Sequence, residues 1–253
     1  MKSWKQLKVI NYKFSFITFF CFIAFTVIGT LSHEYGHILV AKYFGYDTVL
    51  HYGSMNYENG PMYNELLMIH SKYKNEIEND LDFPEKAKWN ELRIAYRNKR
   101  LQDGEFVTFG GPIQTMGVGC IGLLILFFRR KKRELNFTLL DWTAVYLSLF
   151  WLREIFNLTH SIVAALGFIT TCNFNLIKMP VYRGDEGQIS YIFNLPNMTI
   201  PLILGILGFA VGYYVVFYIV PKRYRLNFFF SGIIGGLAGF VIWLGLLGPK
   251  LMP

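Results

Sequence analysis

The chain has 253 residues and a formal net charge of +8, and 53% of its residues are hydrophobic while only 17% are charged. With a mean hydropathy of +0.32, this composition lies outside the range of soluble globular proteins and indicates an integral membrane protein. The positive charge sits in short clusters beside apolar runs, so it argues against nucleic acid as a partner. Three scattered cysteines, Cys21, Cys120 and Cys172, exclude a disulfide framework and a Cys-x-x-Cys metal motif.

Five apolar runs are long enough to cross a bilayer as helices. In chain order they cover residues 14–44, 106–128, 143–171, 201–220 and 228–247. No small-residue cleavage site follows the first run, so we interpret it as a permanent anchor and not as a signal peptide. The runs predict an all-α polytopic membrane protein with about five transmembrane helices, folded as a single membrane-embedded domain over residues 1–253 and surrounded by the lipid bilayer.

A polar segment, residues 45–105, separates the first apolar run from the second. Residues 84–101 predict an amphipathic helix, because apolar side chains recur on one side at helical spacing and a proline stands near the start. The preceding residues 47–69 carry Tyr, Val, Met and Gly in short runs and predict a β-hairpin. We therefore expect a small soluble insertion outside the membrane between the first two spans.

A His-Glu-Tyr-Gly-His motif ends the uncharged part of the first run, at residues 33–37. In a helix the imidazoles of His33 and His37 leave the same face about one turn apart, so both can bind one metal ion. Glu34 lies on an adjoining face, where its carboxylate can take a proton from water, as in the H-E-x-x-H metallopeptidases. The motif predicts two ligands of a tetrahedral zinc ion and a general base. The alternative is a set of buried polar contacts between helices.

Two histidines leave a zinc site incomplete, so the chain must supply a third ligand on the same side of the membrane. Residues 179–187 follow the third apolar run and are predicted to face that side. Asp185 is the first candidate for the third ligand and Glu186 is the second.

The third apolar run contains four polar residues that cannot all face lipid, namely Arg153, Glu154, Asn157 and His160. Positions 153, 157 and 160 share one helical face. These residues predict either a polar strip beside the metal or an internal Arg153–Glu154 pair with Asn157 bridging helices, since intramembrane polar groups serve both purposes. His160 is a further, weaker candidate for a zinc ligand.

Three motifs together resemble the site-2 protease family of intramembrane zinc metalloproteases. They are the H-E-x-x-H of residues 33–37, the Gly-Gly-Pro-Ile-Gln-Thr of residues 110–115, and the stretch from Pro180 to Asp185. Members of that family carry H-E-x-x-H on one transmembrane helix, a Gly-Pro motif at the start of the next core helix, and a later Pro-x-x-x-x-Asp-Gly whose Asp binds zinc. This chain departs from the pattern at Glu186, where the family usually has Gly, and at Gln114 or Thr115, where it often has Asn.

The resemblance implies a metalloprotease-like domain that uses Zn²⁺, with His33, His37 and Asp185 as ligands and Glu34 as the catalytic base. The expected function is hydrolysis of a peptide bond of a membrane-protein substrate, in or near the bilayer. One alternative is a non-proteolytic membrane scaffold or binding protein with a structural metal site. Another is a membrane zinc hydrolase with a non-peptide substrate.

Basic clusters predict how the chain is oriented in the membrane. They lie before the first run, at residues 129–133 and at residues 222–225, which are alternate loops. Because basic loops stay in the cytoplasm, we predict a cytoplasmic N-terminus and a metal site toward the opposite face. The site-2 proteases commonly have their site nearer the cytosol, so either this chain is inverted relative to them or one span is miscounted.

Reporter fusions test this orientation. Fusions after Lys131 and after Arg223 should report the cytoplasm, whereas fusions near Asn75 and Arg183 should report the other side, because the loops alternate. A cytoplasmic signal at Asn75 would reverse the predicted orientation. The two histidines and residues 179–187 would still lie on the same side of the membrane.

Overall fold

The computed structural model describes residues 11–169 and 184–253, and the protein is mostly helical. The helices are α1 (Tyr12–Tyr43), α2 (Tyr63–Lys72), α3 (Lys74–Glu78), α4 (Lys86–Phe128), α5 (Arg130–Leu135), α6 (Leu139–Ser148), α7 (Leu152–Ile169), α8 (Asp185–Ile192), α9 (Thr199–Tyr214), α10 (Arg225–Phe240) and α11 (Gly248–Leu251). Strands β1 (Asp47–Leu50) and β2 (Met55–Glu58) form an antiparallel hairpin.

Four helical stretches are long and apolar enough to cross a membrane: Tyr12–Tyr43, Lys86–Phe128, Thr199–Ile219 and Lys222–Leu251. They correspond to four of the five predicted runs and support a membrane protein. The remaining run, 143–171, differs from the prediction of one span. A 3₁₀ turn at Leu149–Trp151 divides it into α6 and α7, and its last two residues lie outside the described chain. The count of five spans therefore stays a prediction.

Long helices that follow one another along the chain run in alternating directions. Along α1, His33 contacts Thr115 and His37 contacts Val107, so the partner position on α4 moves backwards as α1 advances. α1 and α4 are therefore antiparallel. By the same test of paired contacts, α6 runs antiparallel to α4, α9 runs antiparallel to α7, and α10 runs parallel to α1.

The start of α1 and both described basic loops lie at the same end of the bundle. Phe14 stacks on Tyr224 with ring centroids 4.3 Å apart, and its ring lies 5.2 Å from that of Trp142. Tyr224 belongs to the basic loop 222–225, and Trp142 follows the basic loop 129–133. The two described basic loops thus lie at one end of the molecule together with the start of α1, as the topology prediction requires.

An ionised carboxylate fixes the corner between α4 and α6. Asp141 accepts hydrogen bonds from Arg129 Nε at 2.9 Å and from the Thr138 backbone N–H at 2.8 Å. Burial opposes ionisation of this carboxyl, but the hydrogen bonds from Arg129 and Thr138 outweigh burial and lower the pKa of Asp141 to about 2. The stabilisation from this ionised corner is therefore complete above the ordinary pKa of 3.8 and is lost progressively as the pH falls from there through about 2.

The predicted hairpin within residues 47–69 is confirmed, with Asp47 opposite Glu58 and Leu50 opposite Met55. Its turn is held by the end of the chain. The Tyr52 backbone N–H donates to the carbonyl of Met252 at 3.1 Å, and Trp243 Nε1 donates to the carbonyl of Tyr52 at 2.7 Å. The hairpin is thus anchored to the last membrane helix.

The amphipathic helix predicted at residues 84–101 and the second span are one continuous helix, α4. Gly104 at the junction does not end the helix, because a single glycine in a helix costs only about 1 kcal/mol. Asp103 compensates for this cost, since it is buried and accepts hydrogen bonds from Lys99 Nζ at 2.6 Å and from the Tyr46 hydroxyl at 3.0 Å. The segment predicted as a soluble insertion and the second apolar stretch therefore share a helix.

α1 and α4 approach each other at two glycines. A Cβ atom on Gly36 would lie 2.4 Å from the carbonyl oxygen of Gly110, and a Cβ atom on Gly110 would lie 2.5 Å from the carbonyl oxygen of Gly36. Both distances are shorter than any allowed contact, and both involve backbone, which cannot move away as a side chain can. Only glycine at both positions permits this crossing, as in small-residue contacts of other membrane helices.

The substitution Gly110→Ala tests this contact. The added methyl group must push α1 and α4 apart, so we expect destabilisation by about 1–3 kcal/mol, typical of overpacking, and a lower thermal unfolding midpoint of the detergent-solubilised protein. Gly117→Ala is the matched control on the same helix, because nothing lies within 4 Å of its added Cβ. If both variants melt with the wild type, the helices are not in backbone contact.

Candidate metal centre

Helix α1 presents His33 and His37 on one buried face, because their four-residue spacing is close to one turn. The two residues are 1% and 7% exposed. Helix α8 presents Asp185 at its first position, so its carboxylate comes from a different part of the chain. The structure thus brings together the two histidines and the first-choice third ligand.

The three side chains converge on one point. The distance from His33 Nε2 to Asp185 Oδ2 is 2.8 Å, that from His37 Nε2 to the same oxygen is 3.3 Å, and that between the two Nε2 atoms is 3.3 Å. His33, His37 and Asp185 form a group that can hold a metal ion, and we call these three residues the metal group. Three electron-pair donors this close repel one another unless a cation or a proton lies between them.

Hydrogen bonds on the far side of each ring fix which nitrogen faces the centre. His37 Nδ1 lies 2.7 Å from the carbonyl oxygen of Val107. A carbonyl only accepts, so Nδ1 carries the proton and Nε2 presents its lone pair to the centre of the group. His33 Nδ1 lies 2.9 Å from the hydroxyl of Thr115, which sets the orientation of this ring in the same way.

Gly111 has no side chain, and the two imidazoles occupy the space that a side chain at this position would fill. A Cβ atom at this position would lie 2.3 Å from His37 Nε2 and 2.5 Å from His33 Nε2. The Gly110-Gly111 pair therefore has two functions. Gly110 lets the helices touch, and Gly111 lets the metal-binding atoms face α4 without a side chain in the way.

Glu34 lies beside this group but is not part of it. Its side chain is buried, and its Oε1 atom is 3.9 Å from Nη2 of Arg153 on α7. The guanidinium is at the limit of an ion pair, so the carboxylate keeps an oxygen available for another partner. The position suits a proton acceptor next to the metal group.

Glu186, the alternative third ligand, is bound elsewhere. Its Oε1 accepts a hydrogen bond from Asn157 Nδ2 at 2.6 Å, and it is absent from the group of metal-binding atoms in the described chain. The predicted Arg153–Glu154 pair is also not formed. Arg153 approaches Glu34 instead, and the two carboxylate oxygens of Glu154 are buried without a hydrogen-bond partner among the described residues. Asn157 bridges α7 and α8, as one of the two predicted alternatives requires, and Arg153 and Asn157 both line the cavity beside the metal group, as the predicted polar strip would.

The remaining histidines lie away from the metal group. His160 Nδ1 is 2.9 Å from the Phe156 carbonyl oxygen, and His160 does not belong to the group of possible metal ligands found in the described chain. His70 lies against the ring of Trp89, and His51 contacts the carbonyl oxygen of Pro253.

A cavity of about 1240 Å³ gives access to the metal group. Residues of the group line it together with Arg153 and Asn157, and the outer part is formed by the hairpin, by α8 and by the N-terminal half of α4. Sequence patterns did not identify the three arginines of this outer part, Arg93, Arg97 and Arg100. Their helical spacing was visible, but the cavity they face is created only by the tertiary fold.

No protein-family model matches the chain, and no curated protein or solved structure matches it. The likeness to the site-2 proteases therefore rests on the three sequence motifs. Pro180, the first residue of the third motif, lies outside the described residues, whereas its last residue, Asp185, lies in the metal group.

The roles of Asp185 and Glu186 can be separated by substitution. Asp185→Asn removes the charged oxygen nearest both imidazoles, so we expect the purified protein to lose most of its bound metal, measured by inductively coupled plasma mass spectrometry. Glu186→Gln should retain the metal, because its amide oxygen can still accept the hydrogen bond from Asn157. The reverse result, metal lost in Glu186→Gln and kept in Asp185→Asn, would reassign the third ligand.

Proposed function

We propose that this protein is a zinc-dependent intramembrane metalloprotease, which hydrolyses a peptide bond of a membrane-protein substrate in or near the bilayer. One observation carries the proposal. His33, His37 and Asp185 meet beside Glu34 in an accessible cavity, within a bundle of apolar helices. The similarity of the three motifs to those of the site-2 proteases agrees with this arrangement.

The donor set fits zinc. Two imidazole nitrogens and one carboxylate oxygen are common zinc ligands, and two ligands of a tetrahedral ion, each 2.0–2.1 Å from it, lie about 3.3 Å apart. The three separations between Nε2 and Oδ2 atoms, 2.8, 3.3 and 3.3 Å, are close to that value. The described residues add no fourth protein donor to the group. An open fourth position favours a catalytic site over a structural one.

The residues of the chain account for the other requirements of hydrolysis. Bound zinc would supply Lewis acidity toward the scissile carbonyl and toward water. Glu34 would take a proton from the attacking water on a carboxylate oxygen and pass it to the leaving amine. Arg153, 3.9 Å from Glu34 Oε1, would hold that carboxylate in place. The Val107 carbonyl and the Thr115 hydroxyl would keep both imidazoles in the orientation that ligation needs.

The proposal includes five spans with a cytoplasmic N-terminus. The directions of the helices support the fifth span. α6 and α7 run antiparallel to α4, and α9 runs antiparallel to α7, so the chain crosses the bundle once between α4 and α9. Support for the orientation comes from the collection of basic loops at the end that holds Phe14, Trp142 and Tyr224. The metal group then faces away from the cytoplasm.

The substitution Glu34→Gln separates catalysis from metal binding. An amide cannot accept the proton from water at neutral pH, so turnover should fall by at least about 10²-fold, the usual contribution of a general base. Zinc content and thermal stability should stay near those of the wild type, because Glu34 is not among the ligands. Cells that carry this variant should accumulate an uncleaved membrane protein, detectable by comparing their membrane proteins with those of the wild type.

His37→Ala is the paired variant for that experiment, since it should lose metal and turnover together. Full biological activity of Glu34→Gln in cells that otherwise lack this protein would exclude Glu34 as the base. The metal site would then be assigned to a membrane scaffold. Turnover of a non-peptide substrate that depends on Glu34, with no change in membrane proteins, would instead identify a zinc hydrolase of another class.

A further inference from the structure

Three arginines in the N-terminal half of α4 form a row that faces the cavity of the metal group. Arg93, Arg97 and Arg100 are spaced by four and three residues, so they lie on one face of the helix. All three are exposed and line the cavity that His33 and Asp185 also line. We call these three residues the arginine row.

The charge of the arginine row is not neutralised within the described chain. The lysines of the same region each lie within 4 Å of a carboxylate, in the pairs Lys72–Glu85, Lys74–Glu78, Lys86–Asp80, Lys88–Glu65 and Lys99–Asp103. None of the arginines in the row forms such a pair with a described residue. Arg100 donates one hydrogen bond, at 3.1 Å, to the carbonyl oxygen of Tyr57 in β2. The row therefore offers guanidinium groups to a ligand that enters the cavity.

The same face of α4 continues from the arginine row to the metal group. Gly104 and Thr108 follow on this face and line the cavity, and Gly111 comes next and touches both imidazoles. At 1.5 Å per residue, Arg100 lies about 16 Å and Arg93 about 27 Å from Gly111 along the helix axis. An extended peptide rises about 3.3 Å per residue, so these distances correspond to roughly five to eight residues.

We propose that the arginine row binds an acidic segment of the substrate chain, placed roughly five to eight residues from the bond that is cleaved. This inference rests on the proposed function and specifies its substrate. Guanidinium groups bind carboxylates through paired hydrogen bonds, and binding in a cleft partly shielded from water strengthens them. The row thus selects substrates by charge, while the metal group performs the hydrolysis.

The surroundings of the row favour a peptide over a lipid headgroup. The hairpin contributes Met55 and Tyr57 to the cavity, and α8 contributes Gln188 and Tyr191. A ligand of the row is therefore enclosed by protein from several elements, as an extended chain leading to the metal group would be. A lipid headgroup at the membrane surface would need only the exposed side of α4.

Peptide binding to the full-length Glu34→Gln protein in nonionic detergent tests the inference. The probes are two fluorescein-labelled dodecapeptides that differ only in four central positions, which are Glu in one and Gln in the other. Fluorescence anisotropy should give roughly tenfold tighter binding of the Glu peptide, an advantage that falls with added salt. The double substitution Arg93→Gln, Arg97→Gln should remove that advantage and leave the binding of the Gln peptide unchanged.

Two controls make the result specific to the row. Arg93→Lys, Arg97→Lys keeps the charge and should retain most of the preference for the Glu peptide. Arg130→Gln, Lys131→Gln removes two exposed charges from the opposite end of the molecule and should have no effect. Equal binding of the two peptides to the Glu34→Gln protein, or an equal loss in both Gln double variants, would overturn the proposal.

A lipid-headgroup site gives a different result. In that case native mass spectrometry would show phosphatidylglycerol bound to the Glu34→Gln protein and lost in the Arg93→Gln, Arg97→Gln variant, with no discrimination between the peptides, and the proposal would be wrong. The peptide measurement needs no turnover. Full activity of Glu34→Gln in cells would contradict the protease proposal but would leave a charge-selective peptide site intact. The two failures are therefore distinguishable.

Discussion

Backbone contact between α1 and α4, at Gly36 and Gly110, sets the separation on which the rest of the site depends. At this separation the Val107 carbonyl and the Thr115 hydroxyl on α4 reach the Nδ1 atoms of the two histidines on α1. Gly111 then faces the Nε2 atoms with no side chain between them. A crossing wider by about 1 Å would take both hydrogen bonds, now 2.7 and 2.9 Å long, beyond hydrogen-bond distance and release the rings.

Polar groups within an apolar bundle are costly unless each finds a partner, and the region around the metal group satisfies most of them. Asn157 donates to Glu186, and Arg153 lies near Glu34. The exceptions among the described residues are both carboxylate oxygens of Glu154, together with Arg153 Nε, Gln114 Oε1 and Trp151 Nε1, which are buried without a hydrogen bond. This network explains why one carboxylate of the pair 185–186 faces the imidazoles while the other is held by α7.

Local patterns predicted what depends on helical spacing, and they failed where the answer depends on distant packing. The spacing of His33 and His37 predicted their common face, and the side-of-membrane argument selected the loop that carries Asp185 and Glu186. The continuity of α4 could not be read from the sequence, because the Tyr46–Asp103 hydrogen bond that supports the junction joins separate elements. The 3₁₀ turn in the run 143–171 carries no glycine or proline signal, so its packing against α4 and α9 was equally hidden.

The continuity of α4 has a consequence for how its length can change. A helix advances by about 100° per residue, so one residue inserted or deleted between Arg100 and Gly111 would turn the two ends of this face away from each other. Changes of three, four or seven residues restore the angular alignment within about 60°, 40° and 20° respectively. Length variation in this stretch is therefore restricted to nearly whole turns, whereas the loops around α2 and α3 carry no such angular restriction.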